Sequence, residues 1–143
     1  CNTDQMYFEE KEDRDGIWDI QETYSFKAKI NDLSQTFDVF VNLKLKKEFL
    51  TENLWIFFET KSPAGHIQTD TIMYFMTDQL GKWYGDEKRK YINYNLIYKP
   101  MIKFPEQGEY IFTLNHGMRK NDLPQIQSVG LLIQKSKHAE SDI

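Results

Sequence analysis

Two stretches of apolar–polar alternation constrain this chain more than any other feature. Tyr24, Phe26, Ala28 and Ile30 share one parity, while Ser25, Lys27 and Lys29 share the other. Phe37, Val39, Val41, Leu43 and Leu45 repeat the pattern against Asp38, Asn42, Lys44 and Lys46. Successive side chains of a β-strand point to opposite faces, so a period of two buries every second residue and leaves the others in water. A helix would need a period of 3.6, and no segment sustains one. The chain therefore reads as an all-β protein.

The remaining segments fill in that reading. Trp18 and Ile20 open the first alternating stretch, and Trp18 is expected to pack beneath it. Leu54–Phe58 is a continuous apolar run, which predicts a central strand covered on both sides with Trp55 in the core. Ser62-Pro63-Ala64-Gly65 predicts a hairpin turn, with Ile67–Met76 as the return strand. Thr77–Lys90 breaks the alternation with Gly81, Gly85 and a charged run through Arg89, and reads as the longest loop. Tyr91–Tyr98, Met101–Phe104, Tyr110–Leu114 and Ser128–Ile133 bring the total to about eight or nine short strands. Any helix is confined to a turn or two, near Thr77–Leu80 or Leu123–Gln127. Strands this short, with turns this frequent, predict a single antiparallel β-sandwich of jelly-roll type, with an immunoglobulin-like Greek key as the alternative.

At 143 residues the chain is long enough for one sizeable core and too short for two ordinary domains. The expected division is a tether over residues 1–16, a β-sandwich over 17–136 and a polar tail over 137–143. The tether follows from the acidic cluster Glu9, Glu10, Glu12, Asp13 and Asp15, with few bulky apolar residues around it. Cys1 is the sole cysteine and stands at the start of this polar stretch, as in a processed lipoprotein, so it is the expected site of lipid attachment. One acyl chain holds only marginally, so stable anchoring calls for two or three. With Cys1 acylated, disulfide, zinc–thiolate and thiol chemistry have no residue to use. No run of eighteen apolar residues is long enough to span a bilayer as a helix. A net charge of −4 argues against nucleic acid as a partner, because phosphate neutralisation needs a basic surface.

Several blocks resemble a known family. They are Phe-Pro-Glu-Gln-Gly-Glu-Tyr-Ile-Phe at Phe104–Phe112, His-Gly-Met-Arg at His116–Arg119 and Val-Gly-Leu-Leu-Ile at Val129–Ile133. Asn53–Phe57, Asp70–Ile72 and Gly81–Gly85 precede them in matching order. Together they resemble the GldH-type gliding-motility lipoproteins of Bacteroidetes, over nearly everything from Trp18 onward. The charged run Asp86–Lys90 departs from the glycines that family carries after Gly85. The resemblance implies a lipoprotein of the cell envelope, associated with gliding or secretion machinery, and supplies no catalytic residues. It also implies a lipid anchor in the outer membrane, with the periplasmic face preferred over the cell surface.

The residues themselves point to binding rather than catalysis. Trp83 and Tyr84, between two glycines, are the aromatic pair expected to expose a face, and Asn93 and Asn95 could hydrogen-bond sugar hydroxyls. His116, Met118 and Arg119 form a polar cluster expected at a strand end. These five, Trp83, Tyr84, His116, Met118 and Arg119, are the candidate binding surface. His66, His116 and His138 lack metal-ligand spacing, and neither a nucleophile elbow nor a phosphate-cradling glycine loop occurs. The expectation is a non-catalytic domain without cofactor or metal, serving as a structural or assembly component with envelope protein partners. A glycan-binding surface lipoprotein is the alternative.

Overall fold

The structure, a computed structural model, describes residues 5–13, 15–49 and 51–136. Eight long strands form two antiparallel sheets. Strands β1 (Gln5–Glu12), β4 (Phe37–Lys46), β8 (Tyr91–Ile102) and β11 (Ile126–Lys135) lie in the order β1-β11-β4-β8, with the two-residue β7 (Asp86–Glu87) added beside β8. Strands β3 (Tyr24–Ile30), β5 (Asn53–Lys61), β6 (Ile67–Phe75) and β9 (Gly108–His116) lie in the order β3-β9-β5-β6. A short ladder of β2 (Ile17–Asp19) and β10 (Asp122–Pro124) completes the fold.

Counted along the chain, the first long strand pairs with the last, β1 with β11. The second pairs with the seventh, the third with the sixth and the fourth with the fifth. This nested pairing, rolled into two layers, is the jelly-roll order rather than the immunoglobulin-like one. The core lies between the layers and comes from the parity that the alternation marks. Val39, Val41, Leu43 and Leu45 of β4 face Phe26, Ile56, Phe58 and Phe112 from the other sheet's strands, all buried. Each such side chain contributes roughly 1.5–3 kcal/mol on leaving water. Ser62–Gly65 is the expected hairpin turn: Gly65 N–H donates to the Ser62 carbonyl at 2.9 Å, with Gly65 at a φ of +94° that suits glycine.

Three expectations need correction. Gln5–Glu12 is a strand of the sheet, not part of a tether. It reads as a tether because it is an edge strand with charge on its inward parity: Tyr7 packs against the core, but Glu9 and Lys11 follow, Lys11 pairs with Val129 in register, and its ammonium reaches the Ser25 carbonyl across the gap to β3. Inward charge on an edge strand discourages pairing with another chain and also erases the alternating pattern. Next, Leu54–Phe58 is covered on one side only. Trp55 and Phe57 point out of the sandwich, 44% and 46% exposed, because a two-layer fold has no third layer to cover them. Tyr91–Ile102 is one strand running through Pro100. The register shifts opposite Pro100, and the Met101 N–H donates to Asp38 Oδ1 at 2.7 Å instead of to the ladder. The described residues contain no helix, within the expected limit of a turn or two: Leu123 lies in β10, and Thr77 bridges to Trp83. Cys1, the tail 137–143 and His138 lie outside the described residues.

Candidate functional site

His116 ends β9 with its ring fully buried, edge-on to Trp18 at 5.5 Å. Its Nδ1 accepts the Met118 backbone N–H at 3.2 Å, so Nε2 carries the proton and donates to the Asn121 carbonyl at 3.1 Å. Both ring nitrogens are committed to the backbone of the Gly117–Asn121 connection. His116 is therefore a strut beneath that connection and meets no solvent.

The connection lies on the end of β5. Gly117 N–H donates to the Trp55 carbonyl at 2.7 Å, and Trp55 N–H is directed at the Met118 sulfur at 3.5 Å. A Cβ at residue 117 would lie 2.7 Å from the Phe57 ring, so the connection and the outward face of β5 approach closely here. This arrangement leaves an open cleft of about 790 Å³ between the Gly117–Gln125 segment and the residues around Phe49. Trp55, Met118 and Arg119 line it, with Phe49, Glu48 and Asp122. Among the described residues Arg119 makes no ion pair.

The cleft continues into an apolar strip on the outward face of β5 and β6. In register, Trp55 lies beside Met73, Phe57 beside Thr71 and Asn53 beside Phe75. Phe75 is 59% exposed, so three large apolar side chains share one flat face. β6 is the edge of its sheet, and its outward residues Ile67, Thr69, Thr71, Met73 and Phe75 are all uncharged. Inward-facing groups anchor this edge to the other sheet. Tyr74 Oη donates to the Ile97 carbonyl at 2.8 Å, and Tyr98 Oη donates to Asp70 Oδ2 at 2.6 Å. Burial pushes both phenols well above the ordinary tyrosine range, so both remain donors at any physiological pH.

Of the five residues singled out in the sequence, only Met118 and Arg119 line the cleft. His116 lies beneath it. Trp83 is half-buried and tilts against Phe49 at 6.5 Å, so it supports the cleft from behind. Tyr84 projects away, 64% exposed. Trp55, Phe57 and Phe75 are what sequence reasoning missed. Parity was the available signal: Leu54, Ile56 and Phe58 already fill the inward positions, so Trp55 and Phe57 must face outward.

Comparison with known proteins supplies the family. Residues 5–133 match the family described as GldH lipoprotein. A gliding motility lipoprotein GldH homolog from Christiangramia forsetii is 32% identical over 130 residues, covering 83% of this chain and 78% of that protein. The gliding motility lipoprotein GldH of Flavobacterium johnsoniae is 23% identical over 123 residues, covering 85% and 76%. Among solved structures, dimeric latent PorU from Porphyromonas gingivalis overlays with a TM-score of 0.37 and 12% identity, over 93% of this chain and 13% of that one. That likeness is too slight to carry a functional argument. The family match spans β1 to β11 and the homolog covers most of both chains, so this chain belongs to the GldH lipoprotein family.

Proposed function

We propose that this chain is a non-catalytic lipoprotein of the cell envelope, a structural or assembly component of gliding-motility machinery that docks an envelope protein through the Trp55 face. The carrying observation is the continuous apolar strip of Trp55, Phe57 and Phe75, with the outward residues of the edge strand β6 all uncharged. Exposed aromatics clustered on a flat face are the usual anchors of protein interfaces, and an open edge can add a partner's strand. The site offers little to catalysis, since His116 is spent on the backbone and Arg119 stands in solvent. Nor does the Trp83–Tyr84 pair favour stacking on a sugar, because Trp83 already packs on Phe49. Attachment through acylated Cys1 to the outer membrane, with the domain on the periplasmic side, completes the proposal.

The test is co-purification of the full lipoprotein from crosslinked membranes, comparing the native chain with Trp55→Lys/Phe57→Lys. Loss of envelope proteins from the variant, with its unfolding midpoint unchanged, is the expected result. Retention of every partner would overturn the docking face. Mass spectrometry of the membrane-extracted N-terminal peptide tests the anchor separately, and an unmodified Cys1 would refute it.

A further inference from the structure

The opposite face of the sandwich carries a second site of different chemistry. Asn42 points outward from the middle of β4, yet is only 4% exposed. Its Nδ2 donates to Asn93 Oδ1 at 2.9 Å, to Asn95 Oδ1 at 2.8 Å and to the Tyr94 carbonyl at 3.3 Å. A backbone carbonyl can only accept, so it sets which end of the Asn42 amide faces β8. The Asn93 and Asn95 oxygens are therefore turned toward Asn42 and their NH2 groups away from it. Neither NH2 group has a partner among the described residues, and Asn42 Oδ1 is buried without one. A residue kept only for packing would be apolar here, as Phe40 is one row along.

These groups line a hollow of about 290 Å³, bounded also by Phe8, Leu132 and Tyr91. Phe8 and Leu132 are register neighbours on β1 and β11. Two cations border the hollow and both are already neutralised: Lys44 pairs with Glu10 and lies over the Tyr91 ring, and Lys88 pairs with Asp86 at 2.7 Å. We propose that this hollow binds a neutral carbohydrate, with the Asn93 and Asn95 amides donating to hydroxyl or acetamido oxygens and a ring's C–H face lying on the apolar residues. Asn93 and Asn95 are two residues apart on one strand face, so their donors are spaced by roughly 7 Å. That is the scale of a single pyranose. The absence of spare positive charge in the hollow disfavours phosphate or carboxylate ligands. Asn42 is a positioning residue, acting through the two asparagines it orients.

The test titrates the full chain with soluble gluco-, manno-, galacto- and N-acetylglucosamine oligomers while following side-chain amide signals by NMR. The expected result is that at least one oligomer shifts the Asn93 and Asn95 NH2 signals. Asn95→Ala then weakens that binding at least tenfold, Asn93→Ala weakens it similarly, and Trp55→Lys leaves it unchanged. Both asparagines are surface-accessible, so the alanine variants keep the fold. Any of four results overturns the proposal: no shift at about 10 mM sugar, well above a weak affinity of about 1 mM; shifts confined to the Trp55 cleft; binding that survives both alanine variants; or inorganic phosphate shifting the same amides instead.

Discussion

Strands β4 and β5 follow one another in the chain and occupy the same place in their sheets, third in the orders β1-β11-β4-β8 and β3-β9-β5-β6. Their inward residues are interchangeable in kind: Val39, Val41 and Leu43 on one, Leu54, Ile56 and Phe58 on the other, all buried. Their outward residues are not. β5 shows Trp55 and Phe57 to solvent, whereas β4 carries a part-buried Phe40, a nearly buried Asn42 and Lys44. Two layers need only one apolar parity per strand, so packing does not dictate what the outer faces carry. An apolar outer face risks aggregation, and a buried amide with an unpaired oxygen costs about 1–3 kcal/mol. Each face thus bears a chemistry that stability alone does not call for, and the difference between them separates the proposed docking surface from the proposed sugar-sized hollow.

The largest expected effect tests whether inside and outside are as distinct as this comparison holds. Phe58 stacks on Tyr98 at 4.0 Å in the core, and Phe57 is its outward neighbour. Phe58→Ala should cost about 3–5 kcal/mol in denaturant unfolding and Phe57→Ala about 1 kcal/mol or less. Equal losses would mean that the Trp55 face is structural after all.

Two glycines probe the faces themselves. A Cβ on Gly130 would meet the Glu9 carbonyl oxygen at 2.8 Å and Glu10 Cα at 3.2 Å, so Gly130→Ala must push the β1 backbone away. It should destabilise by about 1–3 kcal/mol. A Cβ on Gly117 would meet only the exposed Phe57 ring, which can swing into solvent, so Gly117→Ala should cost under about 1 kcal/mol. The reverse order in thermal or denaturant unfolding would show that the apolar face is the more rigid one.

Alkali should act on the layer between the faces. Tyr94 donates to the Met76 carbonyl at 2.7 Å, and burial pushes its phenol from 10.0 up to about 12. Tyr24, Tyr74 and Tyr98 are raised in the same direction, foremost by burial. The unfolded chain releases these protons near pH 10 and the folded protein later, so above that pH the unfolded state binds fewer protons. Stability is therefore unaffected below about pH 10 and falls as pH rises from there toward about 12. Tyr94→Phe should make this alkaline loss shallower in pH-dependent unfolding curves. An unchanged slope would mean that other groups drive it.

The smallest stability effects come from the candidate sites. Trp55→Lys and Asn95→Ala should each change unfolding free energy by no more than about 0.5 kcal/mol, since both are exposed. They differ in function: the first should lose protein partners and the second should not. Identical behaviour in pull-downs would erase the distinction between the faces.

Local pattern alone determined much of this protein. The period of two in Tyr24–Ile30 and Phe37–Leu45 specified strands, their buried parity and, with the turn at Ser62–Gly65, an antiparallel sandwich, because a strand's side-chain direction depends only on its own backbone. The ordered blocks from Phe104 to Ile133 carried the family. What local pattern could not supply depends on contacts between distant segments. Gln5–Glu12 becomes a strand only because β11, more than a hundred residues later, offers it a ladder. Pro100 is tolerated within a strand because the register with β4 shifts around it. Trp55 is outside rather than inside because the sandwich ends at two layers. Asn42, Asn93 and Asn95 converge only when β4 pairs with β8, and His116 becomes a strut only when Asn121 folds back over it. Pairing across the fold, which no local period encodes, decided where this protein can be touched.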